Sequence, residues 1–194
     1  VRGRRGRSAD GRMTATRTAA PEAVFPLREP PPGTLFRTFG LVALILVPVV
    51  VIVTVTEPRA LPLAALLPLG LVATVLYVSL RKARTASARV TDAGLVLQAP
   101  LARDTIPWHA LHVEQARIVD LAAERDLQPR WRQMGLGMVG WRSGYFSLRG
   151  GHDALVAIAS GAPTVAIPRG ARSMILLTPR DPERFLAELR RRAR

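Results

Sequence analysis

The chain contains no cysteine, which excludes disulfides, thiolate nucleophiles and Cys-based zinc or iron–sulfur sites and leaves the redox compartment open. Histidine is scarce, at three residues, so metal-ligand sets are few. Aromatic residues make up 5% of the sequence, and 14 Asp plus Glu face 28 Lys plus Arg, with Lys82 the single lysine. A net charge of +14 ordinarily drives mean hydropathy below zero, yet it stands at +0.17 with 48% hydrophobic residues. The apolar residues must be concentrated somewhere. A length of 194 residues allows one domain, or a smaller domain with attachments, and not two full domains.

Residues 1–38 carry eight Arg against Asp10, Glu22 and Glu29, with Pro21, Pro26 and the run Pro30-Pro31-Pro32-Gly33. No helical or strand period is visible, and the segment reads as a disordered basic tail. Val1 reads as a non-ATG start translated literally, with Met13 an alternative start that removes five of the Arg.

Phe39 to Thr56 is free of charge for 18 residues, roughly 27 Å as a helix and close to the thickness of a hydrocarbon core. After Glu57-Pro58-Arg59 a second uncharged run of 21 residues, Ala60 to Leu80, is long enough to cross back. The expectation is a two-helix transmembrane hairpin over residues 39–80. A secretory signal peptide fits less well: the first run exceeds an h-region, no small-x-small site precedes Glu57, and an equal run follows at once. Pro48, Pro62 and Pro68 predict kinks. With no ionisable residue in either run, an ion or proton path through the hairpin alone is not expected. Arg28 and Arg37 precede the first run, and Arg81, Lys82, Arg84 and Arg89 follow the second. Both termini are thus expected in the cytoplasm of a multi-pass inner-membrane protein, its basic residues beside anionic lipid.

Residues 81–194 read as a cytoplasmic domain of short strands: Ser87–Thr91, Leu95–Gln98, Arg103–Ile106, Leu111–Val119, Tyr145–Leu148, Ala154–Ile158, Thr164–Ile167 and Met174–Leu177. Between them, Asp120–Gly140 reads as a loop with one helical turn near Leu121–Arg125. Asp181 as N-cap and Pro182 at the first helical position open a terminal amphipathic helix with Phe185, Leu186 and Leu189 on one face. The architecture expected is a membrane α-hairpin plus a mainly-β barrel or sandwich of about seven strands with one C-terminal helix.

The stretch Val90-Thr91-Asp92-Ala93-Gly94-Leu95 with Ile106-Pro107-Trp108 resembles the opening of bacterial pleckstrin-homology-like (PH-like) domains that follow a two-span hairpin. Gly144 to Arg149, Ala154-Leu155-Val156 and Leu176 to Leu186 resemble the second half of that family. The resemblance runs from about Leu80 to Arg192 and skips Asp120–Gly140, which reads as an insertion. It implies a non-enzymatic module with lipid or protein ligands.

No catalytic constellation emerges, and no cofactor or metal is expected. His109 and His112 are three apart but flank a turn and a strand, with no third ligand placed. Gly135-Leu136-Gly137 lacks the GK[ST] of a phosphate loop, and Ser143, Ser147 and Ser160 lack a nucleophile elbow. The candidate lipid or partner contacts are Arg81, Lys82 and Arg84 beside the membrane, and Arg130-Trp131-Arg132 with Trp141-Arg142, where indole and guanidinium suit a headgroup or an interface. A Trp folded onto the barrel is the competing reading. The function expected is a membrane-anchored binding or scaffolding module recognising a membrane protein or anionic lipid. A nucleic-acid binder, suggested by the Arg-rich tail alone, lacks interleaved aromatics, and a small membrane enzyme lacks an acid–base set.

Overall fold

The computed structural model describes residues 22–31, 33, 34, 36–38, 40, 41, 43, 44, 48, 51 and 62–194. Expectations for residues 1–21, including the start at Val1 or Met13, lie outside them. The first sheet has the order β1-β2-β3-β4, antiparallel throughout: β1 (Ala23–Pro26), β2 (Ser87–Thr91), β3 (Gly94–Ala99) and β4 (Ala102–Pro107). The second has the order β5-β9-β10-β8-β7-β6, built from β5 (Arg117–Val119), β6 (Pro129–Met138), β7 (Trp141–Leu148), β8 (Asp153–Ala159), β9 (Thr164–Arg169) and β10 (Ser173–Leu177). Its pairs are antiparallel except β8 with β10.

The sheets pack face to face. Val90, Leu95, Leu97 and Ile106 from the first meet Leu155, Val165, Ile167, Ile175 and Leu177 from the second, all at most 2% exposed. The far face of the six-stranded sheet is also covered, since Phe146, Val156, Ile158 and Leu176 pack with Val119 and Leu127. Double coverage explains why β8 to β10 read as unbroken apolar runs rather than alternating ones. The terminal helix forms as its sequence dictates, here α2 (Pro182–Arg192). The Asp181 carboxylate accepts from the Arg184 N–H at 3.0 Å, and Phe185, Leu186 and Leu189 are buried in the main core.

Three expectations are corrected. The described residues among 22–38 are not a structureless tail: β1 pairs in register with β2, Ala23 opposite Val90 and Pro26 opposite Ser87. Phe25 and Leu27 are buried while Val24 is exposed, a two-residue alternation too short, and too close to prolines, to stand out in the sequence. Leu111–Val119 is not one strand. It follows a 3-10 turn at Trp108–Ala110, holds another at Val113–Gln115, and is strand only from Arg117, because the buried pair Val113 and Ala116 follows the three-residue period of a tight turn. Asp120–Gly140 is largely not a loop, since Pro129 to Met138 form the longest strand among the described residues. Gly140 does turn the chain, with φ +82°, but Gly135 serves close approach. At the Gly135–Gly144 pair, a Cβ on Gly144, whose φ is +125°, would lie 2.3 Å from the Met134 carbonyl oxygen. Ten strands are present among the described residues, against about seven expected.

The helix α1 (Pro62–Arg84) runs directly into β2, and the described residues between 34 and 51 are helical. Among the described residues no helix is long and apolar enough to cross a membrane, so the hairpin expected over 39–80 is not shown. Residues 39, 42, 45–47, 49, 50 and 52–61 lie outside the described set, and the described side chains of α1 begin at Gly70.

Candidate functional site

The β6 strand is the outer edge of its sheet, and residues 130–134 are exposed. Its pairing with β7 shifts register between Pro129 and Trp131 and between Arg132 and Met134. Such irregularities turn side chains away from strict alternation. The outcome is a shallow cleft of about 380 Å³ lined by Arg130, Trp131, Arg132 and Arg142, with Pro129, Gly137 and Phe146. Trp131 is 72% exposed, and Met134 beside it 59%.

Backbone geometry holds one of the arginines and leaves room for another. The Arg142 guanidinium donates to the Pro129 carbonyl at 3.0 Å, linking the turn end of β7, where Arg142 pairs with Gly137, to the start of β6. The Arg132 guanidinium reaches over Gly137, where even a Cβ would sit 3.9 Å from its Nη1. No carboxylate lines the cleft. Planar forks of fixed positive charge beside an exposed indole suit carboxylate or phosphate in bidentate contact, with the ring supplying apolar area.

The basic residues at the end of α1 form a separate group. Arg81 lies over the Tyr77 ring at 5.9 Å, and Arg84 is exposed. Lys82 lines a second cleft, of about 360 Å³, with Thr85, Pro100, Leu101 and Arg103. Met138, at the far end of β6, packs with Ala83 of α1. Gly137 and Arg142 of the β6 cleft adjoin Met138 and Trp141 in sequence. Lys82 and the arginines of β6 and β7 nevertheless line two clefts with no residue in common.

Trp141 is the exception among them. It is 1% exposed and packs with Ala83, Met138 and Ala159, so it joins α1 to the β6–β7 hairpin and is not a contact residue. The folded-back reading of a Trp holds for Trp141 and not for Trp131. Leu101 and Arg103 line the Lys82 cleft without having stood out in the sequence; Leu101 follows Pro100 in a turn, and that placement of an apolar residue was the available signal. His109 and His112 are exposed, and among the described residues no group of three or more His, Asp or Glu could hold a metal ion.

A family model described as a bacterial PH domain matches residues 86–193. No curated protein and no solved structure matches the chain.

Proposed function

We infer that this chain, which belongs to the bacterial PH domain family through residues 86–193, is a membrane-attached adaptor whose β6 cleft captures an acidic segment of a protein partner at the cytoplasmic face. The family supports a non-enzymatic binding module. Attachment and partner are our reading.

The pairing of β1 with β2 sets the form of the attachment, and bare apolar surface is the observation that carries it. These strands flank the two apolar runs and belong to one folded domain. Whatever crosses a bilayer between them must cross an even number of times, as a hairpin does. Apolar exposure supports the same reading: Phe36, Leu41, Leu44 and Val51 before residue 52, and Leu71, Val75, Tyr77 and Val78 in α1, are all more than 40% exposed. That much bare apolar surface on two helices calls for a lipid or protein cover. Arg81, Lys82 and Arg84 follow in the last turn of α1, where cations suit both the helix dipole and anionic headgroups.

A protein partner is favoured at the β6 cleft because no carboxylate lines it and Trp131 is 72% exposed, while Trp and Arg are the residues that most often dominate protein interfaces. The test is a photo-crosslinker at Trp131 of the full chain in native membranes. A discrete protein adduct that is lost with Arg132→Glu and Arg142→Glu, but kept with Arg125→Glu, supports the reading. Adducts to lipid alone, or adducts indifferent to those charges, contradict it.

A further inference from the structure

Two hairpin turns stand beside the helix roots. The β3–β4 turn, Pro100-Leu101, shares a cleft with Lys82 and Thr85 at the end of α1, and Arg103 lines the same cleft. The β6–β7 turn, Val139-Gly140, lies against the other root, where the Val139 N–H donates to Thr38 Oγ1 at 3.4 Å. A Cβ on Gly140 would approach the Pro31 ring at 3.1 Å.

Leu101 is the only non-glycine with positive φ among the described residues, at 55°. The position after proline in such a turn is ordinarily taken by Gly or Asn, which reach that backbone region cheaply. A leucine there pays strain and is also 59% exposed, so neither backbone nor core accounts for it. The turn does not yield to relieve the strain, because the fully buried Ser143 hydroxyl donates to the Pro100 carbonyl at 2.5 Å and Ala102 is fully buried.

We propose that Leu101 and Val139 are seated in the bilayer interface, with Lys82 and Arg103 holding anionic phospholipid headgroups in the cleft behind Leu101. Val139 is 40% exposed, and no carboxylate lines that cleft. Apolar tips with cations behind them match the depth profile of an anionic leaflet, acyl boundary first and phosphate next. The exposed apolar residues of α1 continue on from the same end of the helix. The proposal rests on the membrane attachment inferred above.

The absence of cysteine makes the test direct. The full chain carrying Leu101→Cys, Trp131→Cys or Val75→Cys singly is labelled with an environment-sensitive fluorophore and reconstituted in vesicles of equal parts phosphatidylglycerol and phosphatidylcholine. The label at 101 is expected to be quenched by brominated acyl chains and shielded from aqueous iodide several-fold better than the label at 131. Arg103→Glu should reduce that shielding. Leu101→Gly supplies a second readout, because it relieves strain: it should raise the thermal midpoint while weakening adhesion of the domain to the bilayer. A label at 101 as open to iodide as that at 131, with Val75 lipid-quenched, overturns the proposal and leaves the attachment standing. A water-exposed label at 75 overturns the attachment, and the proposal with it.

Discussion

The Phe25 ring meets the Phe185 ring edge to face, centroids 5.2 Å apart at 78°. Phe25 precedes both apolar runs and Phe185 lies in the terminal helix, so the segment before the runs belongs to the core of the domain after them. Phe25→Ala should cost about 3–5 kcal/mol and Phe185→Ala a similar amount, as for other buried phenylalanines. A double-mutant cycle in urea should find a coupling of about 0.5–1.5 kcal/mol, the range for aromatic pairs beyond simple burial. Strict additivity would mean that the rings do not interact.

A fragment of residues 81–194 leaves the β2 edge unpaired and uncovers the hydrophobic surface that Phe25 and Leu27 occupy. Such a fragment should melt lower and aggregate sooner than one with residues 22–31 tethered ahead of Thr85, because an open edge is a template for other chains. Besides β1, the Arg28 N–H donates to the Thr178 carbonyl at 2.8 Å and the Arg180 N–H to the Pro26 carbonyl at 3.1 Å. Equal thermal midpoints for the two fragments would show that these contacts add nothing.

Glu188 receives hydrogen bonds from Arg191 and Arg192, and these hold its pKa at about 2, below the ordinary 4.5. A carboxylate depressed in the folded state contributes stability that is complete above pH 4.5 and is lost as pH falls toward 2. Glu188→Gln should therefore lower the urea midpoint at neutral pH, with the gap to the parent chain closing as pH falls through that window. A gap that stays constant with pH would assign the effect to packing.

Gly144→Ala should destabilise the domain by at least about 1–3 kcal/mol, the cost of holding an ordinary residue in a sparsely populated backbone region. The blocked approach of the Met134 carbonyl adds to that cost. The shift would pull β6 off β7 and open the cleft around Trp131, so the Trp131 crosslink should weaken with it. Wild-type thermal stability in this variant would contradict the close approach.

Much of the fold was legible in the sequence for physical reasons. The strands from Ser87 to Ile106 and from Tyr145 to Leu177 are bounded by turn residues, and Asp181-Pro182 announces the final helix by capping chemistry alone. What escaped depends on partners distant in the chain. β1 is four residues long and is a strand only because β2 lies beside it. The β6 glycines look like loop punctuation until Gly135 meets Gly144. The candidate contacts were legible as residue types: Arg130, Trp131, Arg132 and Arg142 do share a cleft. The burial of Trp141 was not, because it depends on Ala83 and Ala159 arriving from other elements. That Lys82 lines a different cleft from the β6 residues depends on which turns arrive beside it, which composition does not carry.

The central claim is that the chain leaves the domain after β1, enters a bilayer, and returns to β2 on the same side. Single cysteines at Val24, Pro58 and Arg172, probed with a membrane-impermeant maleimide in sealed inverted and right-side-out membrane vesicles, test it most directly. Val24→Cys and Arg172→Cys should react together from the cytoplasmic side, and Pro58→Cys only from the opposite one. Labelling of all three from one side, with release of the chain into the supernatant by alkaline carbonate, would contradict it.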